Sequence, residues 1–214
     1  MSGSTTAEQS DWGWTGGKAS IAFDLVFVRD APVERVVEAF GMNPAAARLI
    51  PLAGDDKPYR YMVRDDRLGA NYAPWIRAGR VGAWTFAVGP LLADVFNDDP
   101  GMPVIDAVRA LSRGGAAVRC EFNIKMDGLW YFEDGVEVTW FEPLRSYDRR
   151  GSEPDRFVPQ MRQAGLAVDP DEVGDPDRDV RLRALQMLTL ALGIRVPAEV
   201  ACGPLLTVQR GDGR

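Results

Sequence analysis

Two Asp-Gly pairs, Asp127-Gly128 and Asp134-Gly135, most constrain what this 214-residue chain can fold into. Asp-Gly is among the strongest short signals for a tight hairpin turn, because both residues tolerate a positive φ. The segments around the two pairs, residues 116–124, 129–133 and 136–141, are rich in apolar residues at strand spacing. The sequence therefore predicts an antiparallel meander of three strands.

Two further strands are predicted before this meander. Residues 20–28 alternate, and every second residue from Ile21 to Phe27 belongs to one fully apolar side. Residues 80–88 form the other strand, which Gly89-Pro90 ends because proline lacks the amide that a strand ladder needs. Together with the meander, these segments predict a sheet of about five strands.

Helices are predicted where apolar residues recur at helical spacing. In the first of them, Asp30 is expected to accept the free amides of the first turn, and Gly41 to end the helix. The resulting fold class is α+β, a mainly antiparallel sheet with helices packed on one face and one end and a C-terminal helical appendage. The predicted helices are residues 32–41, 43–49, 103–112, a helix that starts at Ser152 or Asp155 and ends at Ala164, and 180–192; residues 197–202 are predicted to form a last short turn.

The chain is expected to form one domain with a tail at each end. Trp12 and Trp14 are the only large apolar residues of the first tail and are expected to anchor it. Residues 53–78 carry only a weak pattern, and no role is predicted for them. The predicted divisions are a flexible tail at 1–18, a single α+β domain at 19–206 with an acidic linker at 167–179 inside it, and a tail at 207–214.

The chain contains no histidine, which limits the chemistry open to it. Histidine is the commonest general base and metal ligand, since its pKa lies near neutrality. Its absence excludes Ser-His-Asp and Cys-His hydrolysis and any zinc site that uses histidine. Catalysis would have to depend on carboxylates, lysine, arginine, tyrosine or backbone groups.

Charge and motifs restrict the partners further. A net charge of −6 argues against nucleic acid, which binds to clustered basic residues. No phosphate-binding glycine motif and no calcium-loop spacing occurs, so neither a cofactor nor a metal is expected. The longest apolar stretch, residues 185–194, is shorter than the ~20 residues of a membrane span. The start of the chain lacks the features of a signal peptide, so a cytoplasmic location is expected.

The first candidate site lies where the third strand of the meander ends and the next helix starts. Glu142 follows the strand, and Arg149 and Arg150 precede the helix. A helix start favours an anionic group, and Glu142 beside arginines is a candidate proton acceptor or ligand contact. The alternative is a capping network, in which Ser152 and Asp155 bind amides while an arginine pairs with Glu142.

The second candidate site is a set of aromatic residues on the predicted strands. These residues could line an apolar pocket for a small ligand, with a few polar residues beside them. The alternative is that they form the packing surface of the sheet, as aromatic residues at strand spacing usually do. The candidate residues are Trp84, Phe86, Trp130 and Trp140, with Asn123, Glu121 and Arg80 as polar contacts.

Several short blocks of the sequence are distinctive. They are Phe27–Arg29, the Pro32–Gly41 helix, Arg80–Thr85, Ala110–Gly114, Phe122-Asn123, Phe141–Leu144, Gly151–Arg156 and Gly203–Leu206. Through these blocks the chain resembles an uncharacterised domain family, a domain of unknown function in high-GC Gram-positive (actinobacterial) proteins. The resemblance implies a bacterial origin and a single folded unit, and it assigns no activity and no residue role. One departure is Asp30, where such sequences usually carry glycine.

Two functions remain open from the sequence. The first is a non-catalytic cytoplasmic binding or accessory module that recognises a protein partner or a small ligand, because arginine and aromatic residues are enriched at binding hot spots. The alternative is a histidine-free enzyme, such as a cyclase, isomerase or lyase, that acts on a small apolar metabolite. In that enzyme, Glu142 or Glu121 would transfer the proton, since burial against tryptophan raises the pKa of a carboxylate.

Overall fold

The computed structural model describes residues 12–15, 23–52, 75–89, 104–123, 127–172 and 179–209. The expectations for residues 1–11, for most of the weakly patterned segment and for the middle of the acidic linker lie outside these described ranges.

Strands dominate the described residues, and short helices lie between them. The strands are β1 Phe23–Arg29, β2 Arg48–Ile50, β3 Trp75–Val81, β4 Trp84–Gly89, β5 Ala116–Phe122, β6 Gly128–Glu133, β7 Val136–Glu142, β8 Arg145–Arg150 and β9 Leu205–Gln209. The α-helices are α1 Val33–Ala39, α2 Val104–Leu111, α3 Val158–Ala164, α4 Val180–Leu192 and α5 Ala198–Ala201. Two single turns of 3₁₀ helix occupy Gly13–Thr15 and Pro44–Ala46.

The nine strands form one antiparallel sheet in the order β2-β9-β3-β4-β1-β5-β6-β7-β8. β5, β6, β7 and β8 follow one another in sequence and pair as antiparallel neighbours, so the predicted meander of three strands is present. Only the second Asp-Gly pair lies in a turn, because Gly128 of the first pair already belongs to β6, opposite Glu121. In the second pair, Asp134 has a φ of 47° and Gly135 a φ of 79°, the positive values that such a two-residue turn requires.

The prediction of about five strands with helices on one face is wrong, because the sheet has nine strands. The residues predicted as a single strand at 80–88 belong to two strands, β3 and β4, which turn at Gly82. β8 was missed because its sequence, Arg-Ser-Tyr-Asp-Arg-Arg, has no apolar alternation. A strand at the edge of a sheet commonly carries charge in this way, since charge discourages pairing with another chain.

Helices cover both faces of the sheet, which also corrects the prediction. β1 lies in the middle of the sheet and is buried on both sides. Phe23, Leu25 and Phe27 of β1 pack in one apolar cluster with α3 and α4. Val26 and Val28 pack in a second cluster with α1 and α2. We call these two sides the α4 face and the α2 face.

The two N-terminal indoles are buried and anchor their segment, as the sequence predicts, and their partners are α4 and the residues that follow it. Trp12 and Trp14 are 3% and 1% exposed. Trp12 Nε1 donates a hydrogen bond of 2.9 Å to Thr189 Oγ1 of α4. Trp14 Nε1 donates one of 2.7 Å to the carbonyl of Val196. Because each indole has both an apolar environment and an acceptor, this segment joins the core of the α4 face.

The prediction that Asp30 caps α1 is wrong. Pro32 occupies the cap position of that helix, and no side chain accepts a hydrogen bond there. Asp30 instead has a φ of 54°, a left-handed conformation that favours glycine. This conformation gives a physical reason for glycine at the corresponding position of the sequences that the chain resembles.

We predict that Asp30→Gly leaves the free energy of unfolding unchanged or raises it by up to about 1 kcal/mol, because glycine adopts a positive φ without strain. The matched control is Asp134→Gly, at the other non-glycine residue with a positive φ among those described. Asp134 Oδ1 accepts a hydrogen bond of 2.9 Å from the amide of Gly114, and this bond is lost in the control. In urea denaturation, the free energy of unfolding of Asp134→Gly should therefore be about 1 kcal/mol lower than that of Asp30→Gly. If both variants lost the same free energy of unfolding, the positive φ would not be a source of strain at Asp30.

No helix within the described ranges is long and apolar enough to cross a membrane.

Candidate binding site

On the α2 face, four neighbouring strands align four side chains in a single row. The strand register places Arg119 of β5 opposite Trp130 of β6. It also places Trp130 opposite Trp140 of β7, and Trp140 opposite Arg150 of β8. Directly opposed residues on one face of an antiparallel sheet are close enough for their side chains to touch. We call these four residues the tryptophan row.

Each indole of the tryptophan row lies against an arginine. The ring centroids of Trp130 and Trp140 are 6.1 Å apart, with the planes tilted by 53°. The guanidinium carbon of Arg119 lies 5.2 Å from the Trp130 centroid, and that of Arg150 lies 4.1 Å from the Trp140 centroid. Both distances are within the range of cation–π attraction. The row is thus a continuous stack of arginine, two indoles and arginine.

A β-bulge in β7 brings Trp140 into the row. Simple alternation places Val138 and Trp140 on the same side of the strand. The register between β6 and β7 shifts between Tyr131 and Phe132, which leaves Val138 as an extra residue in the ladder. Val138 packs on the α4 face, whereas Trp140 packs on the α2 face beside Trp130. Re-aiming a side chain is the usual effect of a bulge.

The indole of Trp130 occupies the space above Gly128, two residues earlier on β6. A Cβ atom built at Gly128 would lie only 2.3 Å from Cη2 of Trp130. The absence of a side chain at Gly128 is therefore what lets the indole lie flat on the strand.

A cluster of buried charges supports the inner end of the row. Arg119 Nε donates a hydrogen bond of 2.8 Å to Asp24 Oδ1, and both side chains are almost completely buried. The same guanidinium lies 3.1 Å from Glu121 Oε2. Asn123 donates a hydrogen bond of 2.8 Å to the other oxygen of Glu121. Because a buried charge without a partner costs several kcal/mol, this cluster holds Arg119 in place.

Cys120 lies between Arg119 and Glu121 but belongs to the other face. It is completely buried in the cluster of the α4 face. Burial raises the pKa of the Cys120 thiol, and the charge of Asp24 raises that pKa further. The thiol is therefore protonated at neutral pH and is no nucleophile for the site.

The structure separates the aromatic residues that the sequence analysis grouped. Trp84 and Phe86 are buried on the α4 face, and the sheet lies between them and the two tryptophans of the row. Alternation shows which residues of one strand share a face, but it does not relate the faces of strands that are far apart in the chain. Ligand binding by these residues stays a prediction.

The remaining candidates lie around the row or away from it. Arg80 is exposed on β3, near the opposite edge of the sheet from the row. Glu142 comes two residues after Trp140, and its Oε2 accepts a hydrogen bond of 2.8 Å from Arg145.

The predicted capping network has different partners in the structure. Arg149 donates hydrogen bonds of 3.0 and 2.8 Å to Asp155 Oδ1, and Arg150 lies 3.6 Å from Glu137. α3 begins later, at Val158, and no side chain caps it. The arginines of this junction therefore hold loops and strands together, with Arg150 alone belonging to the row.

Asp24 and Arg119 place the row, and neither is among the site residues predicted from the sequence. The available signal was a charged residue within an otherwise apolar strand, because such a residue needs a charged partner on a neighbouring strand. In the described part of the chain, no group of three or more Cys, Asp or Glu residues could hold a metal ion.

The molecule is thus a single-sheet α+β protein with an aromatic and arginine row on one face. The chain belongs to DUF6461, a family of unknown function whose model matches residues 4–202. This match confirms the resemblance to an uncharacterised domain family. No curated protein matches the chain, and no solved structure does.

We predict that Gly128→Ala displaces the indole of Trp130 and lowers the free energy of unfolding by about 1–3 kcal/mol, the usual cost of overpacking. The change should also appear in the near-UV circular dichroism of the tryptophans. Gly115→Ala is the matched control, because its Cβ would meet only a carbonyl oxygen at 3.7 Å.

A double-mutant cycle with Trp130→Leu tests whether the indole of Trp130 causes the loss of stability in Gly128→Ala. If the indole is what the added methyl group meets, the cost of Gly128→Ala shrinks once the indole is gone. An unchanged cost in the Trp130→Leu background would show that the clash lies elsewhere.

Proposed function

We propose that this chain is a non-catalytic module that binds a partner protein through the outer end of the tryptophan row. The observation that carries the proposal is the exposed arginine stacked on a half-buried indole. Arg150 has 62% of its side chain exposed and lies over Trp140. Tryptophan and arginine are the residue types most enriched at the centres of protein interfaces.

Exposed apolar residues concentrate at the same edge of the sheet. Five large apolar residues are exposed within the described ranges, and three of them belong to β7, β8 or the turn between these strands. Val136 begins β7 and Leu144 follows its end, so these residues are spread along this edge, where they add apolar area to the surface beside the row. The three residues are Val136 at 52%, Leu144 at 52% and Tyr147 at 36%.

Charge indicates that the partner presents an acidic group. Two of the three arginines of β8 already have close carboxylate partners, Arg145 with Glu142 and Arg149 with Asp155. Within the described ranges, the carboxylate nearest to Arg150 is that of Glu137 at 3.6 Å, which is long for a charged hydrogen bond. Within the described residues, no atom accepts a hydrogen bond from the buried Nε1 of Trp140. A carboxylate of the partner would pair with the exposed Arg150 and, with that side chain displaced, supply this acceptor.

The enzyme alternative gains no support from the contacts of its two candidate carboxylates. Glu142 is held by Arg145, and Glu121 is held by Arg119 and Asn123. The two glutamates therefore act as parts of ion-pair networks that support the strands, and the enzyme remains only a prediction from the sequence.

We also propose a cytoplasmic location and an origin in high-GC Gram-positive bacteria. The proposed origin is supported by the resemblance of the short blocks. A net charge of −6 supports a protein partner rather than nucleic acid. The proposal likewise includes no membrane as a partner.

The test is affinity capture from an extract of the native host, followed by a Kd measurement with the purified partner. The variants are Arg150→Glu and Trp140→Phe, with Arg48→Glu as the matched control. Arg48 is also an exposed strand arginine, but it lies on β2 at the opposite edge of the sheet. We expect Arg150→Glu to weaken binding about 30-fold, the effect of a ~2 kcal/mol hot spot, and the control to change it less than about twofold.

Two results would reject this function. One is a partner that binds all variants equally. The other is a partner whose binding is weakened as much by Arg48→Glu as by Arg150→Glu, since binding would then depend on overall charge and not on the row.

A further inference from the structure

β8 is the last strand at one edge of the sheet. Within the described ranges, its backbone pairs with β7 alone. An edge strand presents amides and carbonyls to which a further strand can add. The register of β8 against β7 shifts between Arg149 and Arg145, so only residues 148–150 are expected to accept such a strand. A pairing of this length already occurs in the sheet, where three residues of β2 pair with β9.

Asp148 and Arg150 carry opposite charges on one face of β8. Arg150 lies on the α2 face, over Trp140. Asp148 precedes it by two residues, the spacing at which side chains of a strand share a face. A hydrogen bond to Glu142 raises the pKa of the Arg145 guanidinium, and the charge of Asp148 raises that pKa as well. Asp148 therefore lies near Arg145, whose partner Glu142 comes two residues after Trp140.

Neither of these two charges has a close partner among the described residues. Both side chains belong to exposed residues. In the described part of the chain, the carboxylate of Asp148 takes part in no salt bridge and no hydrogen bond. The ion pair of Arg150 with Glu137 is long, at 3.6 Å, and an exposed pair of that kind contributes little.

A second copy of β8 presents both missing partners at once. If two copies of the strand pair antiparallel about Arg149, Asp148 of each copy falls opposite Arg150 of the other. Opposite charges that face each other across two strands stabilise the pairing, whereas like charges destabilise it. The same patch then serves on both copies, as the interface of a twofold dimer requires. The charges of β8 thus disfavour most strands as neighbours, but not an inverted copy of β8.

Arg149 lies on the twofold axis of this arrangement, where two like charges would meet. Its guanidinium is held within its own chain. It donates hydrogen bonds of 2.8 Å to Asp155 Oδ1, 2.6 Å to the carbonyl of Ser146 and 3.0 Å to the carbonyl of Val168. Because Asp155 neutralises each Arg149, the two copies can approach without an uncompensated pair of like charges.

We propose that the partner of this edge is a second copy of the chain, joined by antiparallel pairing of the two β8 strands about Arg149. This inference rests on the proposed function, because Asp148 of the second copy is the acidic group that Arg150 binds. The tryptophan row then continues from Trp140 through Arg150 to the second copy. Tyr147, which is 36% exposed, adds apolar area next to Asp148. Since the interface is small, the dimer belongs to the weak, transient class.

Charge reversal tests the pairing, measured by sedimentation equilibrium of the full chain at low salt over roughly 10 µM to 1 mM. Asp148→Lys places a lysine opposite an arginine, and Arg150→Glu places a glutamate opposite an aspartate. Each single variant should raise the dimer dissociation constant about tenfold or more, because both symmetry-related pairs change from attraction to repulsion. The control Arg48→Glu lies at the opposite edge of the sheet and should change this constant less than about twofold.

Two combinations should restore the dimer. In the double variant with Asp148→Lys and Arg150→Glu, each lysine again faces a glutamate, so the dissociation constant should return to within about threefold of the unchanged chain. An equimolar mixture of the two single variants should form a heterodimer, because the lysine of one then faces the glutamate of the other. Restoration also shows that the substitutions do not act by unfolding the chain.

Three outcomes would overturn the proposal. One is a chain that stays monomeric throughout this concentration range. Another is a dimer that both single variants leave intact, since it would pair through a different surface. The third is a dimer that is weakened by the single variants but restored neither in the double variant nor in the mixture. If the chain is monomeric and a captured partner still depends on Arg150, the proposed function holds and only the second copy is excluded.

Discussion

A buried ion pair between Asp24 and Arg119 determines how the centre of the sheet is arranged. Asp24 lies on β1, whose other side chains from Phe23 to Val28 are apolar and buried. A charge removed from water needs a charged partner, and Arg119 on the neighbouring strand provides it at 2.8 Å. A slip of one residue between β1 and β5 would turn Arg119 to the opposite face, so the pair also fixes the register. The tryptophan row follows from that register, because Arg119 then lies over Trp130.

Aromatic residues have different roles in the middle of the sheet and at its margin. Near the middle, where the sheet is covered on both sides, aromatic residues are core, as Phe27 and Phe86 show. At the margin, aromatic residues become accessible beside arginines. Trp140 meets Arg150 there, so an aromatic side chain fixed by the core orients an arginine that reaches solvent.

Local patterns predicted the meander and most of the helices, but not the size of the sheet. The turn at Asp134-Gly135 and the C-terminal glycine of α4 act within a few residues, and the predicted helix at 180–192 coincides with α4. The helix predicted at 43–49 is wrong, because only Pro44–Ala46 form a helical turn and β2 begins at Arg48. β9 pairs with strands that are far away along the chain. β8 lies at an edge of the sheet, where the alternation of apolar residues is weak. For the same reason, only part of the candidate site could be predicted from the sequence. Trp130 and Trp140 were identified, but the bulge at Val138 and the partner of Asp24 are tertiary features.

The register of β6 against β7 is the most direct test of this account, because it puts both tryptophans on one face. Backbone nuclear Overhauser effects in an NMR spectrum of the full chain measure it. The account predicts cross-strand contacts between Trp130 and Trp140 and between Trp140 and Arg150. Contacts that instead place Trp130 opposite Thr139, with Trp140 on the α4 face, would contradict it.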